Sequence, residues 1–318
     1  MRSDVEHDAG WVHHLRNDEH AELVQTVARL RGRRPGEVSL ADLPSSGPLA
    51  EAARTWRREV KDGRGFVLVR GVDVDAFTSE DLELAFVAMG LHFGTLVPQN
   101  LAGELITHVR DTGADPGSPS TRLYTTRAEQ DFHTDGADVI GLLCRRTARS
   151  GGESRIVSSG AIVAEIARSR PDLYPVLFQD FPWHYQEAGM PALWFGRPIC
   201  TIPSRSKEGA RLNTFFIPWY IRRSQELPDA PRLCEAQREV IALVEQLAND
   251  PRFYVDMTFE PGDVQWLKNA AILHKRTAYE DHEEPDRRRH LLRLWMSAPD
   301  FEDGSDDLRH GVREEAVR

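Results

Sequence analysis

Asp131-Phe-His-Thr-Asp135, followed three residues later by the apolar run Val139-Ile-Gly-Leu-Leu-Cys144, sets a metal-ligand spacing beside a core strand. Alternate side chains of an extended strand share a face, so His133 and Asp135 offer an imidazole and a carboxylate to one point. A His-x-Asp pair is weak evidence alone, because chance supplies it in many proteins. Much later, Pro261-Gly-Asp-Val-Gln-Trp-Leu267 leads through Asn269 to His274. A turn and an apolar strand there bring a second histidine back to a barrel mouth. Two histidines and one carboxylate on one face of an octahedron leave three positions open, which suits non-haem Fe(II) and O2.

The other informative segment is Arg287-Arg-Arg-His-Leu-Leu-Arg-Leu-Trp295. Strand alternation puts Arg289, Leu291, Arg293 and Trp295 on one face, and His290, Leu292, Leu294 and Met296 on the other. Two arginines on an otherwise apolar face are costly without an anionic partner. A guanidinium pairs bidentately with a carboxylate. The distal carboxylate of 2-oxoglutarate meets that need, and so does an internal Asp or Glu.

Outward from these segments, short strands alternate with helices. Apolar residues at helical spacing mark helices over 18–31, 48–61, 79–90, 159–169 and 233–249, with Thr78 and Ser159 as N-caps. Glycines bound the strand Gly65-Phe-Val-Leu-Val-Arg-Gly71, and further strands fall in 103–110, 139–144, 154–158, 255–259, 263–268 and 288–297. Asp111–Ser120 is rich in turn formers and reads as a surface loop. Many short strands with inserted helices indicate a β-barrel or sandwich, mainly β with α additions. No Gly-rich nucleotide motif is present.

The chain has 318 residues, 40% hydrophobic and 28% charged, with a formal net charge of -10. The acidic balance argues against nucleic acid as a partner. No segment is apolar enough to suggest a membrane span, and the first residues lack a secretory h-region. Cys144, Cys200 and Cys234 form neither a disulfide framework nor a zinc spacing, which suits buried thiols in a reducing cytoplasm.

Taken in order, several motifs resemble the taurine dioxygenase family, which includes clavaminate synthase-like relatives. They are residues 65–71, His92-Phe-Gly94, DFHTDG (131–136), GGES (151–154), PGD (261–263), NAAILHKRT (269–277) and RRRHLLRLW (287–295). The resemblance implies one catalytic domain over 1–318. It would have a helical part at 1–62, a double-stranded β-helix (jelly-roll) core at 63–300 with a helical insert at roughly 159–250, and a polar tail at 301–318.

It also implies Fe(II) held by His133, Asp135 and His274, with 2-oxoglutarate and O2 as co-substrates. Arg289 would hold the co-substrate, Ser154 stands where the family has a threonine, and Arg293 matches an arginine that contacts either co-substrate or an anionic substrate. The presence of Asp135 argues against halogenation. Tyr124, Thr126, Arg127 and Gln130 precede the His-x-Asp strand where such proteins line the substrate pocket; Asn100 and His108 are weaker candidates. Trp183, Trp194 and Trp219 are candidate covers.

The expected activity is hydroxylation of a small, anionic or amino-acid-like molecule, with desaturation, epoxidation or cyclisation as alternative outcomes. Two other classes stay open on the residues alone: a non-catalytic barrel that binds a metal or small anion, and a zinc hydrolase.

Overall fold

Residues 66–69 are apolar in both phases of a strand: Phe66 and Leu68 face one way, Val67 and Val69 the other. Such a strand needs cover on both faces. The computed structural model describes residues 9–100, 102–115, 117, 121–186, 191–202 and 212–301. It shows where each face goes.

Eleven strands carry the architecture: β1 (Val12–His14), β2 (Phe66–Arg70), β3 (Thr95–Leu96), β4 (Ile106–Val109), β5 (Gln130–His133), β6 (Val139–Arg146), β7 (Ser154–Ser158), β8 (Tyr254–Met257), β9 (Val264–Lys268), β10 (Ile272–Arg276) and β11 (His290–Ser297). Among the described residues six helices surround them: α1 (Asn17–Leu30), α2 (Pro48–Asp62), α3 (Ser79–Gly90), α4 (Ser159–Ser169), α5 (Pro218–Ser224) and α6 (Glu235–Ala248).

A seven-stranded sheet runs β1-β2-β9-β6-β11-β3, with β4 also paired to β11. A four-stranded antiparallel sheet runs β8-β7-β10-β5. The inner faces of both sheets share one apolar cluster that includes Phe66, Leu68, Ile140, Ile156, Ile272 and Leu291. The outer face of the larger sheet packs Val67, Val69, Trp266, Leu292 and Leu294 against α1, α2 and α3. The outer face of the smaller sheet packs Phe132, Val157 and Leu273 against α4, α5 and α6. The result is a double-stranded β-helix flanked by helices, mainly β as expected.

Local signals explain the helix starts. Thr78 Oγ1 accepts a hydrogen bond from the Asp81 amide at 3.1 Å, opening α3. The cap of α4 falls one residue earlier than expected. Ser158 accepts from the Ala161 amide at 3.3 Å, while Ser159 donates to the Ala271 carbonyl at 3.1 Å and ties the helix to β10. The segment 159–250 is less helical than its reading implied, since Asp180–Tyr185 pairs with Leu193–Pro198 as a hairpin. Alternating Phe181 and Trp183 bury one face of that hairpin.

Cys144 and Cys200 are buried, and burial pushes each thiol up to about 12. Cys234 departs from the expectation and is exposed, because it sits at the N-cap of α6. The expected polar tail beyond Phe301 lies outside the described residues. No helix among the described residues is long and apolar enough to cross a membrane.

The centre of the larger sheet shows how tightly the outer layer fits. Trp266 on β9 pairs with Gly141 on β6, and its ring stacks on Phe93 at 4.6 Å. A Cβ at Gly141 would meet the Trp266 ring at 2.3 Å. Gly141→Ala should therefore lower unfolding free energy by about 1–3 kcal/mol in urea denaturation, through overpacking.

Candidate metal centre and anion pocket

His133 ends β5, His274 is the middle residue of β10, and the two are direct cross-strand partners. Opposed residues of an antiparallel pair project to the same face. Their rings accordingly lie 4.3 Å apart between centroids, facing the interior. Asp135 follows β5 on a short turn clamped by one side chain. Asn269 Oδ1 accepts the Asp135 amide proton at 2.8 Å, and Asn269 Nδ2 donates to the carbonyls of Asp135 and Ala137, both at 2.7 Å.

The donor atoms of His133, Asp135 and His274 all lie within 4.8 Å of one another, and all three residues are buried. Asp135 is 3.9 Å from His133 Nε2 and 3.7 Å from His274 Nε2. His133 Nδ1 sits 2.7 Å from the Asp131 carbonyl. A carbonyl only accepts, so Nδ1 carries the proton and Nε2 keeps its lone pair for the centre. Gln130 Nε2 approaches that nitrogen at 3.0 Å. Burial, reinforced by His274, pushes His133 down to about 3, so it is neutral and ready to ligate. Burial alone would raise Asp135, but Arg293 and the two histidines outweigh it and hold the carboxylate well below its usual range. A neutral His133, the imidazole of His274 with its buried, unpartnered Nδ1, and one ionised carboxylate form a donor set that fits a divalent metal.

Arg293 and Trp295 project from β11 toward this cluster. Arg293 Nη1 donates to Asp135 Oδ2 at 3.2 Å and Trp295 Nε1 to the same oxygen at 3.1 Å. Gln99 fixes the arginine: its Oε1 accepts from Arg293 Nε at 2.8 Å, and its Nε2 donates to the Arg293 carbonyl at 2.8 Å.

Arg289 stands at the far end of the same face. Its guanidinium is buried, and burial lowers its pKa. Nη2 donates to the Gly152 carbonyl at 3.3 Å, Nη1 has no partner, and no carboxylate pairs with this guanidinium among the described residues. Gly152 makes the approach possible. A Cβ there would lie 2.9 Å from Arg289 Nε, and its φ of 79° favours glycine. Ser154, two residues on, is buried and donates to Gln265 Oε1 at 3.0 Å. One pocket joins His133 and His274 to Ser154 and Arg289; Tyr124 and Gln130 also line it.

Other candidates fall elsewhere. Arg127 is exposed and pairs with Asp111 at 3.0 Å, directed away from the pocket. Thr126 is buried, but its hydroxyl donates to the Leu123 carbonyl and serves a turn. Asn100 is exposed and bonds Glu104 within its own loop; the neighbouring Gln99 faces the centre. His108 points to the outer face of β4, where it meets His290 at 2.8 Å, and Val109 lines the pocket instead. Among the tryptophans, Trp219 on α5 lies 5.2 Å from the His133 ring, whereas Trp183 is core. Arg276, two residues past His274, lines the pocket and was not singled out from sequence. Its signal was the same period of two.

Residues 29–295 match the family model described as taurine catabolism dioxygenase TauD, TfdA family. The chain is 28% identical to FR-33289 synthase of Streptomyces rubellomurinus over 308 residues, covering 93% of this chain and 88% of that protein. It superposes on asparagine oxygenase in complex with Fe(II), hydroxyasparagine and succinate with a TM-score of 0.70 at 14% identity, covering 91% of this chain and 94% of that one. The oxygenase OrfP in complex with Fe and α-ketoglutaric acid gives 0.63 at 14% identity, covering 90% and 94%. At such identity these two structures speak for the fold.

Asn269→Ala removes the clamp on the Asp135 turn without touching a donor atom. Metal titration of that variant should show affinity about 10–100-fold weaker, with the circular dichroism spectrum retained. Undiminished affinity would mean that the turn is held without Asn269.

Proposed function

The chain belongs to the TauD, TfdA family, and from that premise we propose that His133, Asp135 and His274 hold its iron, with Arg289 and Ser154 at the distal carboxylate of 2-oxoglutarate. It is a dioxygenase that depends on Fe(II) and 2-oxoglutarate. The observation that carries the residue assignment is the buried cluster of two imidazoles and one carboxylate in cross-strand register. When bound, the iron supplies O2 activation coupled to oxidative decarboxylation of 2-oxoglutarate to succinate and CO2.

The chain's own residues bind, orient and shield. The Asp131 carbonyl keeps the His133 proton on Nδ1, so Nε2 faces the centre. Asn269 fixes the Asp135 backbone, while Arg293 and Trp295 fix its carboxylate. Arg289 offers a buried cation to an anion from solution. Trp219 covers the His133 side and limits water there.

The substrate is a small molecule, which we read as anionic or amino-acid-like, with hydroxylation of a C–H bond as the outcome. Arg293, Gln130 and Tyr124 at the pocket support that reading, as do relatives in fold whose structures hold hydroxyasparagine or hydroxy-arginine. The family match gives no support to a zinc hydrolase or a non-catalytic binding protein.

His133→Ala and Asp135→Ala should each abolish succinate formation while leaving thermal unfolding cooperative; turnover retained in either would overturn the ligand assignment. Arg289→Gln should raise the apparent 2-oxoglutarate requirement about 10–100-fold, the size expected for one lost charged hydrogen bond. An unchanged requirement would mean that another group holds the carboxylate.

A further inference from the structure

Arg276 is a second buried guanidinium in the pocket, and its position along the strand is informative. It lies on β10 two residues beyond His274, hence on the same inner face and about 6.8 Å further along. In register it faces Ser154 on β7, so the two side chains are cross-strand neighbours. Only 8% of the residue is exposed. Nη2 donates to the carbonyls of Leu123 and Ala128, but Nε and Nη1 have no partner. No carboxylate pairs with it among the described residues. Tyr279 packs against both arginines, with its ring centre 5.1 Å from the Arg276 guanidinium and 5.0 Å from that of Arg289.

Two buried cations beside one tyrosine are unstable company. An anion received near both relieves the repulsion and satisfies the orphaned N–H groups. The metal cluster lies one pleat away, a separation comparable with the length of a five-carbon dicarboxylate.

We propose that Arg276 is a second arginine for the distal carboxylate of 2-oxoglutarate, which is received between Arg276 and Arg289 beside Ser154. The proposal rests on the co-substrate reading above and extends it. Arg276 thereby acts as a specificity residue for dicarboxylic over monocarboxylic 2-oxo acids. Its bonds to Leu123 and Ala128 also steady the turn that carries Tyr124, coupling the co-substrate end of the pocket to the lining loop.

The test is anaerobic calorimetry of the Fe(II)-loaded protein with 2-oxoglutarate and, separately, with 2-oxobutyrate, which has the same keto-acid end and no distal carboxylate. Wild type should bind 2-oxoglutarate far more tightly. Arg276→Met should weaken 2-oxoglutarate by about tenfold or more and leave 2-oxobutyrate unchanged. Equal weakening of both ligands, as a loosened turn would produce, overturns the proposal, and so does unchanged 2-oxoglutarate binding, which would assign Arg276 to the substrate or the fold. If Arg276→Met does not fold, Arg276→Lys keeps the charge and loses the fork; the same selective weakening supports the proposal and its absence overturns it. Wild type that fails to prefer 2-oxoglutarate would instead sink the underlying co-substrate reading.

Discussion

The pairing of His133 with His274 across β5 and β10 is the constraint from which the site follows. Strand side chains alternate, so a slip of one residue would turn His274 into the helical layer and bring Leu273 into the pocket. Two things hold the phase. On the other side β10 pairs with β7, with His274 opposite Ile156, and both strands bury apolar residues on each face. At the end of the pair Asn269 grips the Asp135–Ala137 turn, fixing the third donor relative to the first two. The two imidazoles are positioned by hydrogen-bonded sheet and the carboxylate by a turn clamped beside it, which is what a metal centre of defined geometry requires.

Charge follows from that geometry. In the pocket between the sheets Asp135 stands against Arg293, with Arg276 and Arg289 further along and, among the described residues, without carboxylates of their own. The chain as a whole carries a net charge of -10, so this cationic interior is local and not a reflection of composition. Buried unpaired cations oppose folding. Their retention makes sense where an anion is bound and released, because an internal Asp or Glu would satisfy them permanently and close the pocket to a diffusible carboxylate.

Much of this was legible in the sequence, because the sheets obey a period of two. The alternation in 287–295 separated Leu291 and Arg293 from Leu292 and Leu294, and the structure divides them between pocket and helical layer. Where periodicity is silent, inference failed. In Ile106-Thr-His-Val109 each phase carries one apolar residue, so nothing in the segment says that Val109 faces in and His108 out. Asn100 and Gln99 lie in a loop, where no period applies, and the inward residue was missed by one position. Arg127 differs: its place before the His-x-Asp strand suggested a substrate contact, but a local partner, Asp111, takes it to the surface.

The same distinction separates the shared chemistry from the individual substrate. Metal donors and co-substrate arginines come from strands and the turn next to them, where register dictates direction. The elements nearest the open side of the centre are of another kind. Trp219 and Tyr220 lie on the short helix α5, and Arg122, which bonds the Tyr220 hydroxyl at 2.5 Å, precedes the turn bearing Tyr124. Such segments are free to vary without disturbing either sheet. A sequence in which the His-x-Asp strand and the arginine strand are readable therefore discloses the reaction before the molecule it acts on, since the two are encoded by parts of the chain under different structural constraint.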